Sequence, residues 1–163
     1  MLFGGQQQLE TRPGTEPVAL AVGMAKSLEL ATSEAADAAT GMRQLRDRLE
    51  TGLLERHNQL VIQGQPYERL PGTSCISFVG TQRQSMLMAL DLAGIACSSG
   101  SACSSGSSPP SPVLIAMNRS QREIESTLRF GVSKFSTDEE IEQAIDRISI
   151  VYNRLRKINS VDN

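Results

Sequence analysis

The sequence predicts an α/β fold, a long leading helix followed by a small lobe in which strands alternate with helices. Three observations carry that expectation. One apolar stripe, at alternating three- and four-residue steps, runs from Leu28 to Leu53. Three later segments open on a hydroxyl residue followed three positions on by Glu or Gln, the pattern of a capped helix start. Between them lie short runs of alternating, β-forming residues.

Residues 1–15 show no helical period. Pro17 suits the first turn of a helix, with Thr15 or Glu16 as its cap. That helix runs to about Arg56, with Leu28, Ala31, Ala35, Ala38, Met42, Leu45, Leu49 and Leu53 on one face. Gly41 is a point where it can kink or divide, and Arg43, Arg46, Asp47, Arg48 and Glu50 are expected on the solvent face. Gly64, Pro66, Pro71 and Gly72 make a loop around a short strand at Leu60 to Ile62. TSCISFV, Thr73 to Val79, alternates as a strand does. Thr81 and Gln84 open a helix through Leu92, and Gly94 to Cys97 is a short strand candidate. Pro112 to Met117 reads as one or two helical turns, and Ser120 with Glu123 opens a short helix. TLRFGVS, Thr127 to Ser133, is a strand. Thr137 with Glu140 opens the last helix, which places Ile141, Ala144, Ile145, Ile148, Val151, Tyr152 and Leu155 on one face.

Composition narrows the function. The 163 residues are 39% hydrophobic and 21% charged, enough for one core. A formal net charge of -2 and 4% aromatic content argue against nucleic-acid binding. No apolar run reaches membrane-spanning length, and MLFGGQQQ lacks the features of a signal peptide, so a cytoplasmic protein is expected. Three cysteines, Cys75, Cys97 and Cys103, argue against a disulfide framework. Their spacing, with His57 as the one histidine, leaves no metal site. His57 ends the long helix, where the helix dipole favours a cation. Cys75 and Cys97 are expected as small buried side chains.

Cys103 stands apart. It lies within SSGSACSSGSSPPSP, Ser98 to Pro112, a run of serine, glycine and proline. Two readings are open there: a nucleophile that must travel, or an incidental thiol on a surface loop. A nucleophilic cysteine works as thiolate, yet Asp91 is the one charged side chain between Gln84 and Asn118. Activation would have to come from elsewhere in the fold or from a substrate. Arg129 is likewise open between an ion-paired strand residue and a bidentate carboxylate clamp.

GIACSSGSACSSGS, Gly94 to Ser107, closely resembles the active-site loop of cysteine desulfurases of the NifS/IscS-like class, with SSGSACSS as the shared core. GGQQQLETRPGTEPVALAVGMAKSLELA at the start and STLRFGVSKFSTDEEIEQAI from Ser126 resemble two further segments of that family, in the same order. The resemblance implies a pyridoxal 5'-phosphate enzyme of the class V aminotransferase superfamily that takes sulfur from L-cysteine, leaving L-alanine, and passes it to an acceptor or scaffold protein. It implies that Cys103 forms the persulfide and that its loop, 98–112, swings the sulfur outward. It implies that Arg129 binds the substrate carboxylate. Thr15 matches a residue that reaches the cofactor phosphate of the neighbouring subunit of a homodimer, a task compatible with an N-cap. Arg12 matches an arginine whose role is substrate contact, phosphate support or dimer structure.

The implied fold is the C-terminal small domain of a fold type I pyridoxal enzyme, preceded by a connecting helix. Residues 1–16 would end the cofactor-binding large domain, 17–56 would be the helix, and 57–163 the small domain. The family's cofactor lysine has no counterpart among Lys26, Lys134 and Lys157, so the chain alone is expected neither to hold pyridoxal phosphate tightly nor to turn over cysteine. Gln6 replaces a usual glycine, and Pro109-Pro110 departs from the family's usual S-L-E-P-S run, stiffening the loop's exit. Two alternatives remain open at this level: a non-catalytic module that binds sulfur acceptors, and a selenocysteine lyase or related class V enzyme. Whether the sulfur serves iron–sulfur clusters or tRNA thiolation is not decided by the sequence.

Overall fold

The computed structural model describes residues 3–5, 7–9, 11–100 and 110–161. The chain divides into two compact units, Met1–Asp37 and Ala38–Asn163, each taken by itself below.

In the first unit, Arg12 folds back on its own backbone. Its Nη1 donates to the carbonyls of Pro13 at 3.3 Å and Gly14 at 3.2 Å. Helix α1 spans Val18–Arg56 and is continuous through Gly41. The carbonyl of Pro17 accepts from the Ala21 N–H at 3.1 Å, so Pro17 itself stands at the cap position expected for Thr15 or Glu16. Proline serves there because its missing N–H would have no helical partner anyway.

The second unit is built on a three-stranded antiparallel sheet in the order β1-β2-β3: Leu60–Ile62, Thr73–Phe78 and Thr127–Gly131. Paired residues of an antiparallel ladder point to the same face. One row joins Ile62, Ile76 and Leu128, and another joins Leu60 and Phe78. All five are buried against Leu49 and Leu53 of α1, Met86 and Leu90 of α2 (Arg83–Leu92), and Ile141, Ile145, Ile148 and Tyr152 of α5 (Asp138–Val161). Phe78, Phe130 and Tyr152 meet edge to face, and the Tyr152 hydroxyl donates to the Val79 carbonyl at 2.7 Å. The alternating pattern of TSCISFV thus puts Ile76 and Phe78 into the core and Thr73, Cys75 and Ser77 on the opposite face.

Two of the three capping boxes form as expected. Ser120 and Glu123 bond reciprocally at the start of α4, Gln121–Ser126. Thr137 and Glu140 do the same at α5, at 2.9 and 3.2 Å. The third does not form: the Thr81 hydroxyl donates back to the Phe78 carbonyl at 2.8 Å, and Gln82 caps α2 with no side-chain bond. Gly94 to Cys97 is not a strand. A single bridge follows it, between Ser98 and Arg129.

The expected solvent face of α1 is also corrected. Arg46 and Glu50 are buried, because the 63–72 loop lies over them. Arg46 Nη1 donates to the Leu70 carbonyl at 3.0 Å, and Glu50 receives Arg69 in a fork at 2.7 and 2.8 Å. Burial, with the charges of Arg156 and Arg56, holds the His57 imidazole below its ordinary value. The neutral ring packs edge to face on Tyr152, so desolvation and two arginines override the helix dipole that favoured a cation.

Candidate functional site

The sheet face turned away from the core carries the site. Gln63 continues the β1 register, its N–H donating to the Cys75 carbonyl at 2.8 Å, and Cys75 stands opposite Arg129. Across the other edge of β3, Arg129 and Ser98 exchange both backbone bonds, at 2.7 and 3.0 Å. Gln63, Cys75, Arg129 and Ser98 therefore form one row across the sheet. Behind it, Ser77 pairs with Thr127.

These residues line a cleft of about 340 Å³ whose other walls come from the 63–72 loop and from α3, Pro112–Ala116. Arg69 and Leu70 close one side, and Val113, Leu114 and Met117 close the other. Ser111 caps α3, its hydroxyl accepting from the Leu114 N–H. Gly72 holds the entry to β2 close to β3: an added Cβ would lie 2.5 Å from the Val132 carbonyl oxygen, so only glycine fits.

The charges in the cleft are unequal. Arg69 is spent on Glu50, whose Oε1 also accepts from the Ser74 hydroxyl at 2.6 Å. Arg129 is exposed toward the cleft, and among the described residues no carboxylate pairs with it. A guanidinium in such a setting is able to hold a carboxylate by two parallel bonds.

Cys75 lines this cleft beside Arg129. Burial pushes its thiol up, partly offset by Arg129 and Arg69. Cys97, packed against the core, is pushed up to about 11 by burial and then by Asp91. Both thiols stay protonated near neutral pH, as expected of small half-buried side chains. The place of Cys75 in the cleft escaped the sequence reading, although the two-residue period of TSCISFV already set it on the polar face. Nothing in the sequence pointed to Arg69 or Gln63.

Thr15 is exposed in the first unit, and Arg12 is engaged locally there. Cys103 lies outside the described residues. Gly100, three residues before it, and Ser111, eight after it, both line the cleft.

The cleft does not fit pyridoxal phosphate by itself. An aldehyde cofactor needs an amine to hold it, and no lysine lines the cleft. Lys26 pairs with Glu29 at 2.9 Å, Lys134 lies over the Phe135 ring, and Lys157 is on α5. Among the described residues no group of His, Cys, Asp and Glu could hold a metal ion, and no helix is long and apolar enough to cross a membrane.

Comparison with known proteins gives a consistent picture. The class-V aminotransferase family pattern matches residues 5–144. A cysteine desulfurase of Sinorhizobium fredii is 40% identical over 161 residues, 99% of this chain and 42% of that protein. Cysteine desulfurase NifS of Azotobacter vinelandii is 36% identical over 159 residues, 98% of this chain and 40% of that protein. Among solved structures, a NifS-like protein superposes with a TM-score of 0.79 at 28% identity, covering 95% of this chain and 39% of its own. A NifS-like protein from Rickettsia africae gives 0.77 at 29% identity, covering 94% and 39%. The chain thus spans about two fifths of the length of the relatives it matches.

Proposed function

The chain belongs to the class-V aminotransferase family, and on that premise we propose that it is the part of a cysteine desulfurase that clamps the substrate carboxylate and carries the sulfur-accepting thiol. The observation that carries this reading is the backbone bridge between Ser98 and Arg129. It joins Ser98, at the root of the Ser/Gly segment, to Arg129, which no carboxylate among the described residues pairs with. Gly100, which lines the cleft, stands three positions before Cys103 in the sequence, and this supports the reading.

In this reading the net change is transfer of the sulfur of L-cysteine to the Cys103 thiol as a persulfide. A proton replaces sulfur on the substrate carbon, leaving L-alanine. Pyridoxal phosphate, which the family generally uses, would supply an electron sink for that change when held by residues outside this chain. Its lysine must come from outside this chain, so the chain alone is inactive. Arg12 and Thr15 keep the roles the resemblance implies, Thr15 on the cofactor phosphate of a neighbouring subunit. Residues 1–16, 17–56 and 57–163 serve as large-domain end, connecting helix and small domain. The absence of an amine from the cleft favours a second reading for the isolated chain, a non-catalytic module that binds a sulfur acceptor.

The test is sulfide release from L-cysteine with added pyridoxal phosphate, for the chain alone and mixed with a separately expressed upstream half of a homologue. The expected result is silence alone and activity in the mixture, abolished by Cys103→Ser. Arg129→Lys should raise KM roughly 10- to 100-fold, the worth of a charged bidentate bond. Activity of the chain alone overturns the assignment, and silence in an associated mixture leaves the binding module ahead.

A further inference from the structure

One buried titratable side chain has no part in the cleft. His57 is 6% exposed and follows directly on α1, its N–H donating to the Leu53 carbonyl at 3.0 Å. Its ring packs edge to face on Tyr152 of α5, with 5.1 Å between centroids. The same Tyr152 ring meets Phe78 of β2, and its hydroxyl donates to the Val79 carbonyl just beyond that strand. The contact between His57 and Tyr152 thus ties the end of α1 to α5 at the point where α5 holds the sheet.

The surroundings suit a neutral ring. Imidazole Nε2 is buried with no hydrogen-bond partner among the described residues. The charged and titratable groups at the ring are Arg56 beside it in the chain, and Arg156 and Tyr152 from α5. Arg156 lies over the Tyr152 ring at 5.5 Å, and Arg56 is held by Asp146 of α5 at 2.6 Å. Burial pushes the Tyr152 phenol up, so it carries no charge near neutral pH. Among the described residues no carboxylate pairs with the imidazole. A second proton would make both ring nitrogens donors and add a positive charge. No acceptor stands within bonding distance of Nε2, two guanidiniums repel the charge, and an unpaired charge held away from water is costly. The charged ring gains water only by leaving Tyr152.

We propose that His57 is an acid-sensitive latch: a proton on its imidazole releases the end of α1 from α5, and the neutral ring closes the joint. The direction follows from linkage. In an open or unfolded chain the imidazole takes its proton near the free value of about 6.5. In the folded lobe burial, then Arg156 and Arg56, hold it lower. The closed joint is therefore fully favoured above about pH 6.5 and loses ground as pH falls from there toward the depressed value. The latch is independent of the carboxylate reading of Arg129.

His57 is the one histidine of the chain, so its Hε1 proton gives a single imidazole signal in NMR. Titrated on the full chain, that signal should turn over below about pH 6.5, and a midpoint at or above that value overturns the inference. Amide exchange, corrected for its intrinsic pH dependence, is compared at about pH 7.5 and 5.5, one unit either side of the free value. It should rise for residues 53–60 by up to about tenfold, the linkage limit one unit below that value, and rise less at Ile76 and Leu128 in the sheet. A rise equal across the lobe overturns the latch in favour of general acid weakening. His57→Phe keeps a ring against Tyr152 and removes the proton site, so the local rise should vanish. A rise of the same size in this variant overturns the inference too. Retained amide spectra establish that the variant folds, and the Hε1 midpoint is read on the unmodified chain.

Discussion

Between Val18 and Asp37, helix α1 exposes Val18, Leu20, Val22, Met24, Leu28 and Leu30; between Ala38 and Arg56 it buries Arg46, Leu49, Glu50 and Leu53. One helix and one stripe thus have two fates. The difference teaches that periodicity states which residues share a face, and that a partner decides whether the face is covered. In the second half the partners are the sheet, α5 and the 63–72 loop, and the loop takes even charged residues out of solvent. Leu28 and Leu53 occupy equivalent places in the pattern and differ in almost everything else.

The sharpest way to break this comparison is at Glu50. Glu50→Ala leaves Arg69 without its fork and Ser74 without its acceptor. Urea unfolding of this variant should show a loss of ~3–5 kcal/mol, the cost of stranding one partner of a buried pair. Replacing both residues with methionine should recover most of it. An Ala variant within 1 kcal/mol, by rough reckoning, would mean that the 63–72 loop is not held by α1.

Next in size is the pair of leucines. Leu53→Ala removes a fully buried side chain and should cost about 2–5 kcal/mol. Leu28→Ala, at a side chain 64% exposed, should stay within about 0.5 kcal/mol. Equal costs in the same unfolding measurement would show that the first half of the stripe is covered in solution.

The smallest contrast is between two glycines of the same helix. Nothing lies within 4 Å of a Cβ added at Gly23, so Gly23→Ala should raise helix stability by roughly 0.5–1 kcal/mol. At Gly52 the added atom would lie 2.6 Å from Ile145 Cδ1, in the core. That crowding should cancel the gain or reverse it by about 1 kcal/mol. Circular dichroism and unfolding midpoints of the two variants read the contrast directly.

Much of the fold was legible because it is written in local chemistry. The strand at Leu60–Ile62, the alternation of TSCISFV and two of three capping boxes depend on residues a few positions apart. The misreadings are those where a distant or competing partner intervened. Thr81 has two acceptable bonds and takes the turn carbonyl behind it. His57 packs on Tyr152, and its burial, with the charges of Arg156 and Arg56, outweighs the helix end.

The candidate site divides in the same manner. The roles expected of Cys103 and Arg129 came from the family resemblance that short motifs carry; the residues alone left an incidental thiol and an ion-paired arginine open. By itself the sequence determined the helix and strand periods and the polar face of β2. Only the tertiary structure decided that Gln63, Cys75, Arg129 and Ser98 stand in one row, that Arg69 is spent on Glu50, and that no carboxylate among the described residues pairs with Arg129. Those outcomes depend on strand register and on contacts across 19 to 60 residues of chain, as in Arg69 with Glu50 and Gln63 with Glu123. Local propensity carries no information over such separations, because a contact there is set by which surfaces pack.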